Sequence, residues 1–255
     1  MPSPSYLSFR WLKSRRPLLL VTVLAVTLGP VAAKDYSFVD KAAWSEAFTT
    51  KNPEGTTDVK DDGVGGAVVF TAPRFAGVIH LLGREGVRPA TVASATEVDF
   101  RVEGTGSLGI YVRGKVDASD SYAILVRSTA LGYGELQVYR APIWPVANFS
   151  TLQPLAVQKI DRISGAAWYR LKIRITDQVD SVSLSATLVE LAPIQSAERF
   201  IEGVAVTTLD VTDTMNPLIW PGLVGLRLYV HNETMPPTSV IHLRRISLTP
   251  DPAAL

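Results

Sequence analysis

An all-β domain of two antiparallel sheets packed face to face is what this sequence predicts, and three observations carry the prediction. From residue 67 onward, short alternating or β-branched runs are separated by Gly, Pro, Asn and Asp, the punctuation of antiparallel strands. Only residues 41–49 read as helix. The strands are too many for a single open sheet to hide its apolar face from water, so a second sheet must cover the first. With 255 residues, 47% of them hydrophobic and 19% charged, the chain is long and apolar enough to build that core.

The first 33 residues stand apart. Arg10, Lys13, Arg15 and Arg16 precede an uncharged run over 17–33 that ends Val31-Ala32-Ala33. A basic start, a short apolar stretch and small final side chains form the layout of a secretory signal, with cleavage expected after Ala33. Ser14-Arg15-Arg16-Pro17-Leu18-Leu19 also resembles a twin-arginine export signal. The run falls short of the roughly 20 residues of a bilayer-spanning helix, so no stable membrane insertion is expected after processing. Residues 34–255 are expected to form one domain, secreted or held in the periplasm or at the cell surface. The signal segment holds four of the basic residues and none of the acidic ones, which leaves the remainder at a net charge of −3. No nucleic-acid footprint survives its removal. The absence of cysteine excludes disulfides, thiolate metal sites and thiol nucleophiles.

Each strand is justified by its own pattern. Residues 67–71 and 77–82 are apolar runs. Residues 97–103 alternate without a break, Val98, Phe100 and Val102 on one side and four charged residues on the other. Gly104-Thr105-Gly106 then turns the chain into 107–113, which is expected to form a hairpin with the strand before it, Leu108, Ile110 and Val112 facing inward. Further strands are expected at 121–127, 135–140, 168–176, 182–189, 204–211, 223–230 and 240–248. Trp44 and Trp168 are assigned to packing, and His80 is expected to be a satisfied strand histidine.

Three segments carry a family resemblance. Gly109-Ile110-Tyr111-Val112-Arg113, Asp117 through Tyr122 and Glu135-Leu136-Gln137-Val138-Tyr139-Arg140 resemble the middle of concanavalin A-like lectin/glucanase domains. Trp168-Tyr169-Arg170-Leu171-Lys172-Ile173, Gly222 through Arg227 and the ending Leu248-Thr249-Pro250 agree with their C-terminal third. The resemblance runs from about Thr96 to Pro250 and is nearest the laminin G-like and 3-keto-disaccharide hydrolase-like branches. It implies a jelly roll of two curved sheets and a carbohydrate ligand. The last strand of such domains commonly reads apolar-Asp-Asp, whereas Arg244 and Arg245 stand here.

Four groups of residues are candidates for chemistry. Glu97 and Asp99 lie on one strand face about 6.6–6.8 Å apart at Cα, compatible with the roughly 5–5.5 Å between carboxyl groups of a retaining glycosidase. Their spacing resembles the Glu-x-Asp of family-16 glucanases, but Arg101 stands where the acid/base would follow and the next acid is Glu103, so the three read as an ion-pair ladder. The outward positions Tyr111, Arg113, Gln137, Tyr139, Arg170, Lys172, Arg227 and Tyr229 mix flat rings with forked donors, which suits a glycan. Of these, Tyr111, Arg113, Tyr139 and Arg170 are expected on one accessible surface. Trp144 and Trp220, each next to proline, are rigid rings that could stack on a sugar or plug the core edge. Asp117 and Asp120 are calcium candidates, although two acids three residues apart do not specify a site and read as turn residues. The reading is an exported, non-catalytic carbohydrate-binding sandwich that needs no cofactor. The alternatives are a glycoside hydrolase of the glucanase-like or 3-keto-disaccharide hydrolase-like type and a structural cell-surface interaction module.

Overall fold

The computed structural model describes residues 34–37, 41–51, 56–60, 67–71, 75–82, 93–129, 131–145, 147–193, 200–219, 222–231 and 239–250. The signal segment, with its cleavage site, and Trp220 lie outside the described residues. Strand β1 (Lys34–Ser37) leads to helix α1 (Lys41–Ala47), β2 (Phe48–Lys51), β3 (Thr56–Lys60), β4 (Ala67–Thr71) and β5 (Phe75–Leu82). Then come β6 (Ala93–Glu103), β7 (Gly106–Gly114), β8 (Tyr122–Ser128), β9 (Gly134–Arg140) and β10 (Ala156–Ile160). The C-terminal third holds β11 (Trp168–Asp177), β12 (Val182–Pro193), β13 (Phe200–Asp213), β14 (Leu223–His231) and β15 (Val240–Pro250).

The strands form two antiparallel sheets, the sandwich that the alternation predicts. One runs β13-β12-β11-β6-β15-β4-β3, with β1 also on β15, and the other β10-β9-β8-β7-β14-β5-β2. Between them lies the main core, to which Val98, Phe100, Leu171 and Leu243 contribute from the eight-stranded sheet and Leu108, Ile110, Ile124 and Leu226 from the seven-stranded one. Each such side chain contributes about 1.5–3 kcal/mol by leaving water. Trp44 and Phe48 pack into the same core, with ring centroids 4.6 Å apart. No described helix is long and apolar enough to cross a membrane.

The hairpin expected between residues 97–103 and 107–113 does not form. Strand β6 pairs with β11 and β15, whereas β7 pairs with β8 and β14 in the opposite sheet. Gly104, at φ 73°, turns the chain from one sheet to the other. The alternation was sound, but two strands that both send apolar residues into one core can do so from opposite sides of it.

A second apolar layer covers the other face of the seven-stranded sheet. Ile79, Leu81, Tyr111, Ala123, Leu125, Tyr139 and Leu223 point away from the main core. The connection between β9 and β10 folds over them with Ala141, Ile143, Ala147, Phe149 and Leu152. Strand β8 is therefore dry on both faces, which explains its unbroken apolar run Tyr122-Ala123-Ile124-Leu125-Val126.

Candidate functional site

Pairing registers sort the outer face of the seven-stranded sheet into rows. Lys159, Glu135, Arg127, Ser107 and Tyr229 stand side by side on β10, β9, β8, β7 and β14. Two residues further along, the row is Val157, Gln137, Leu125, Gly109 and Arg227, and beyond it lie Tyr139, Ala123, Tyr111 and Gly225. The first row, with Lys159 and Arg127 exposed, Glu135 and Tyr229 partly so and Ser107 buried, forms the wall of a cleft of about 620 Å³. Tyr133, from the β8–β9 turn, and Asp161, just after β10, complete that wall. Leu125 of the second row and Tyr139, Ala123 and Tyr111 of the third lie beneath the β9–β10 connection, whereas Val157 is exposed.

This arrangement corrects the expected binding surface. Tyr111 is 0% exposed and Tyr139, Gln137 and Arg113 are buried as well. Tyr139 packs against Phe149 with ring centroids 4.9 Å apart and donates its hydroxyl to Gln137 Oε1 at 3.1 Å. Gln137 Nε2 donates to Glu135 at 2.7 Å. Arg113 leaves the face altogether. Its φ of 54° and a register shift opposite Leu223 and Gly225 turn it to the end of the sandwich, where it donates to Asp177 at 2.8 Å and to the Ile219 carbonyl at 3.1 Å. Arg170 is on β11, in the other sheet. The four residues therefore share no surface, because alternation tells inward from outward within a strand but not which sheet the strand joins or what covers its outer face.

Arg170 anchors the ion-pair ladder instead. Directly opposite Asp99, it grips that carboxylate with Nε at 2.6 Å and Nη2 at 2.8 Å. It also reaches Glu202 at 2.8 Å and Glu97 at 3.8 Å. These carboxylates, Asp99 first, hold the guanidinium above its usual range. Lys172 bonds Glu202, Arg245 lies 3.8 Å from Glu97, and Glu103 meets Arg101 at 2.8 Å and His242 at 3.0 Å. Arg244 lies over the rings of Trp168 and Phe200, at 5.0 and 4.9 Å. Each of the three acids singled out from the sequence is thus held by a cation, on the sheet that does not carry the cleft.

The remaining candidates lie at the far end of the seven-stranded sheet. Trp144 is 42% exposed, and its neighbour Ile143 plugs the apolar layer. Asp117 accepts from the amide and hydroxyl of Ser119, which lowers its carboxyl from the ordinary value. Asp120 is held by Arg140 Nε and Nη2 at 2.9 and 2.6 Å. Among the described residues no group of three His, Asp or Glu side chains is placed to hold a metal ion. His80 bonds Thr50 through Nδ1 at 3.0 Å, but its buried Nε2 finds no partner, so the expected satisfaction is only half met.

No family model matches the chain, and no curated protein does. Solved structures do. Bacillus licheniformis β-glucanase superposes with a TM-score of 0.52 at 10% identity, over 86% of this chain and 99% of that one. The lectin UEA-II, solved in complex with galactose, gives 0.50 at 12% identity, over 87% of this chain and 99% of that one. A Lotus tetragonolobus seed lectin gives 0.50 at 12%, over 86% and 97%. The likeness shows a shared fold, the concanavalin A-like jelly roll.

Proposed function

We propose that this protein is exported and binds carbohydrate, without transforming it, in the cleft on the outer face of the seven-stranded sheet. One observation carries the reading. The cleft, about 620 Å³, sets two phenol rings, Tyr133 and Tyr229, among charged and hydroxyl groups that include Arg127, Glu135, Lys159 and Ser107. Rings of this kind lie against the C–H faces of sugars while forked donors and carboxylates bond their hydroxyls. The volume falls within the roughly 300–1,000 Å³ of small-ligand sites. The fold shared with a lectin solved in complex with galactose supports the ligand class. The ion pairing of Glu97, Asp99 and Glu103, away from the cleft, supports binding over hydrolysis. The basic-then-apolar layout of residues 1–33 supports export.

A glycan array on residues 34–255, run with calcium and with chelator, tests the reading. Binding in both conditions is expected, without hydrolysis of the bound glycan. Tyr133 is 59% exposed, so Tyr133→Ala should leave the fold intact and cost about 1–1.5 kcal/mol of binding, roughly five- to tenfold in affinity. A blank array, or a variant that binds as tightly as the parent, overturns the cleft as the site.

A further inference from the structure

Arg227 differs from four other arginines of the sandwich. Arg101, Arg113, Arg140 and Arg170 each meet a carboxylate within 2.8 Å. Arg227 meets none among the described residues. Its guanidinium lies between the rings of Tyr229, at 4.8 Å, and Phe149, at 5.0 Å. Nη1 donates one long bond, 3.4 Å, to Ser107 Oγ, and the buried Nε finds no acceptor. The group that could answer it, Tyr111, is a fully buried phenol whose hydroxyl also has no partner. Burial pushes that phenol up to about 12, so it stays neutral at physiological pH and supplies no counter-charge. Arg227 is only partly exposed, and a cation that keeps so little of its water without an anion is costly, a loss the surrounding rings offset in part.

The missing anion has a place to come from. Ser107, itself 4% exposed, and Tyr229 both touch the guanidinium and both line the cleft. We infer, resting on the carbohydrate reading of that cleft, that its ligand is an acidic glycan whose uronate carboxylate or sulfate ester sits against Ser107 within the field of the Arg227 guanidinium. The attraction is that of an oxyanion for a fixed cation nearby, and the low polarity of the aromatic walls lengthens the reach of the charge. Arg127 and Lys159 add positive charge at the rim, but Glu135 and Asp161 stand beside them in the same cleft. The rim is therefore balanced, and Arg227 is the charge left over.

Matched ligand pairs test this by calorimetry. One pair is tetragalacturonate and its carboxyl-reduced form; the other is a heparin-derived tetrasaccharide and its desulfated, N-acetylated and carboxyl-reduced form. The inference expects at least one acidic member to bind tenfold or more tightly than its neutral counterpart, with affinity falling as salt rises. Arg227→Met should bring the two members of that pair within twofold of each other, and Arg227→Lys should keep part of the preference. Equal binding within both pairs overturns the acidic ligand and leaves the carbohydrate reading standing. If neither pair binds and neutral glycans on an array fail too, the carbohydrate reading falls and this inference with it. Should Arg227→Met not fold, the paired ligands on the unaltered protein still decide.

Discussion

At the scale of single residues, the most consequential group is one that takes no part in the cleft. His80 is buried against Trp44, ring centroids 4.6 Å apart, and burial pushes its imidazole down to about 3. The unfolded chain takes up that proton near pH 6.5, so between about pH 6.5 and 3 the unfolded state binds more protons and stability falls as pH falls. Urea unfolding at pH 7.5 and pH 5 should show a loss of about 2 kcal/mol that His80→Phe removes, because a phenyl ring takes up no proton when the chain unfolds. Equal pH slopes for both proteins would mean that His80 is not held neutral. The ladder on the other sheet supplies a contrast in burial. Arg170→Met strands Asp99, whose side chain is 4% exposed, and should cost about 3–5 kcal/mol. Glu97→Gln, at a half-exposed carboxylate 3.8 Å from its partners, should cost less than about 1 kcal/mol. Similar losses from both would contradict the geometry. That these acids face cations was legible from Arg101 standing between Asp99 and Glu103. That the strongest grip comes from Arg170, 71 residues later, depends on strand pairing that no local pattern encodes.

At the scale of elements, the sequence read strands well and their surroundings poorly. The strands from β4 to β9 and from β11 to β15 lie where their periodicity places them, because a face that meets a core repeats every second residue. The short strands β1, β2, β3 and β10 carry too few turns of that repeat to be seen. The binding face failed for a different reason. Tyr111, Tyr139 and Gln137 do point away from the main core, but the connection from β9 to β10 covers them. A signal for that cover existed, since Ala123, Leu125, Ile79 and Leu81 are apolar at outward positions and Ile143, Phe149 and Leu152 follow in a segment without periodicity. Leu125→Ala tests the second layer directly. A residue on a solvated sheet face would lose almost nothing, whereas this one, 1% exposed, should lose about 2–5 kcal/mol in denaturant unfolding. The cleft was missed because its wall is a row across five strands, whose members lie between positions 107 and 229.

At the scale of the whole molecule, the two ends of the sandwich are built differently. At one end Tyr122, from β8, donates to Asp213 at the close of β13 at 2.7 Å and accepts from the Leu218 amide at 3.0 Å. Arg140 reaches the same carboxylate at 3.2 Å while gripping Asp120, so side chains from both sheets share one network. Burial pushes the Tyr122 hydroxyl well above its ordinary value, and the phenol stays a donor. Tyr122→Phe leaves the Leu218 amide and one lone pair of Asp213 unanswered and should cost about 1–3 kcal/mol, read as a drop in the urea midpoint at unchanged slope. The opposite end, where the cleft opens among β7, β8, β9, β10 and β14, is tied by neutral groups: Ser239, just before β15, accepts from the Thr105 amide at 2.9 Å and donates to the His231 carbonyl at 3.1 Å. Amide hydrogens should record this difference. Those of 129 and 131–133 should trade with deuterium in minutes through local opening while those of 122–126 wait for global unfolding, and a bound glycan should slow only the first set. Part of the affinity is then spent in quieting one end of a molecule whose other end is already still.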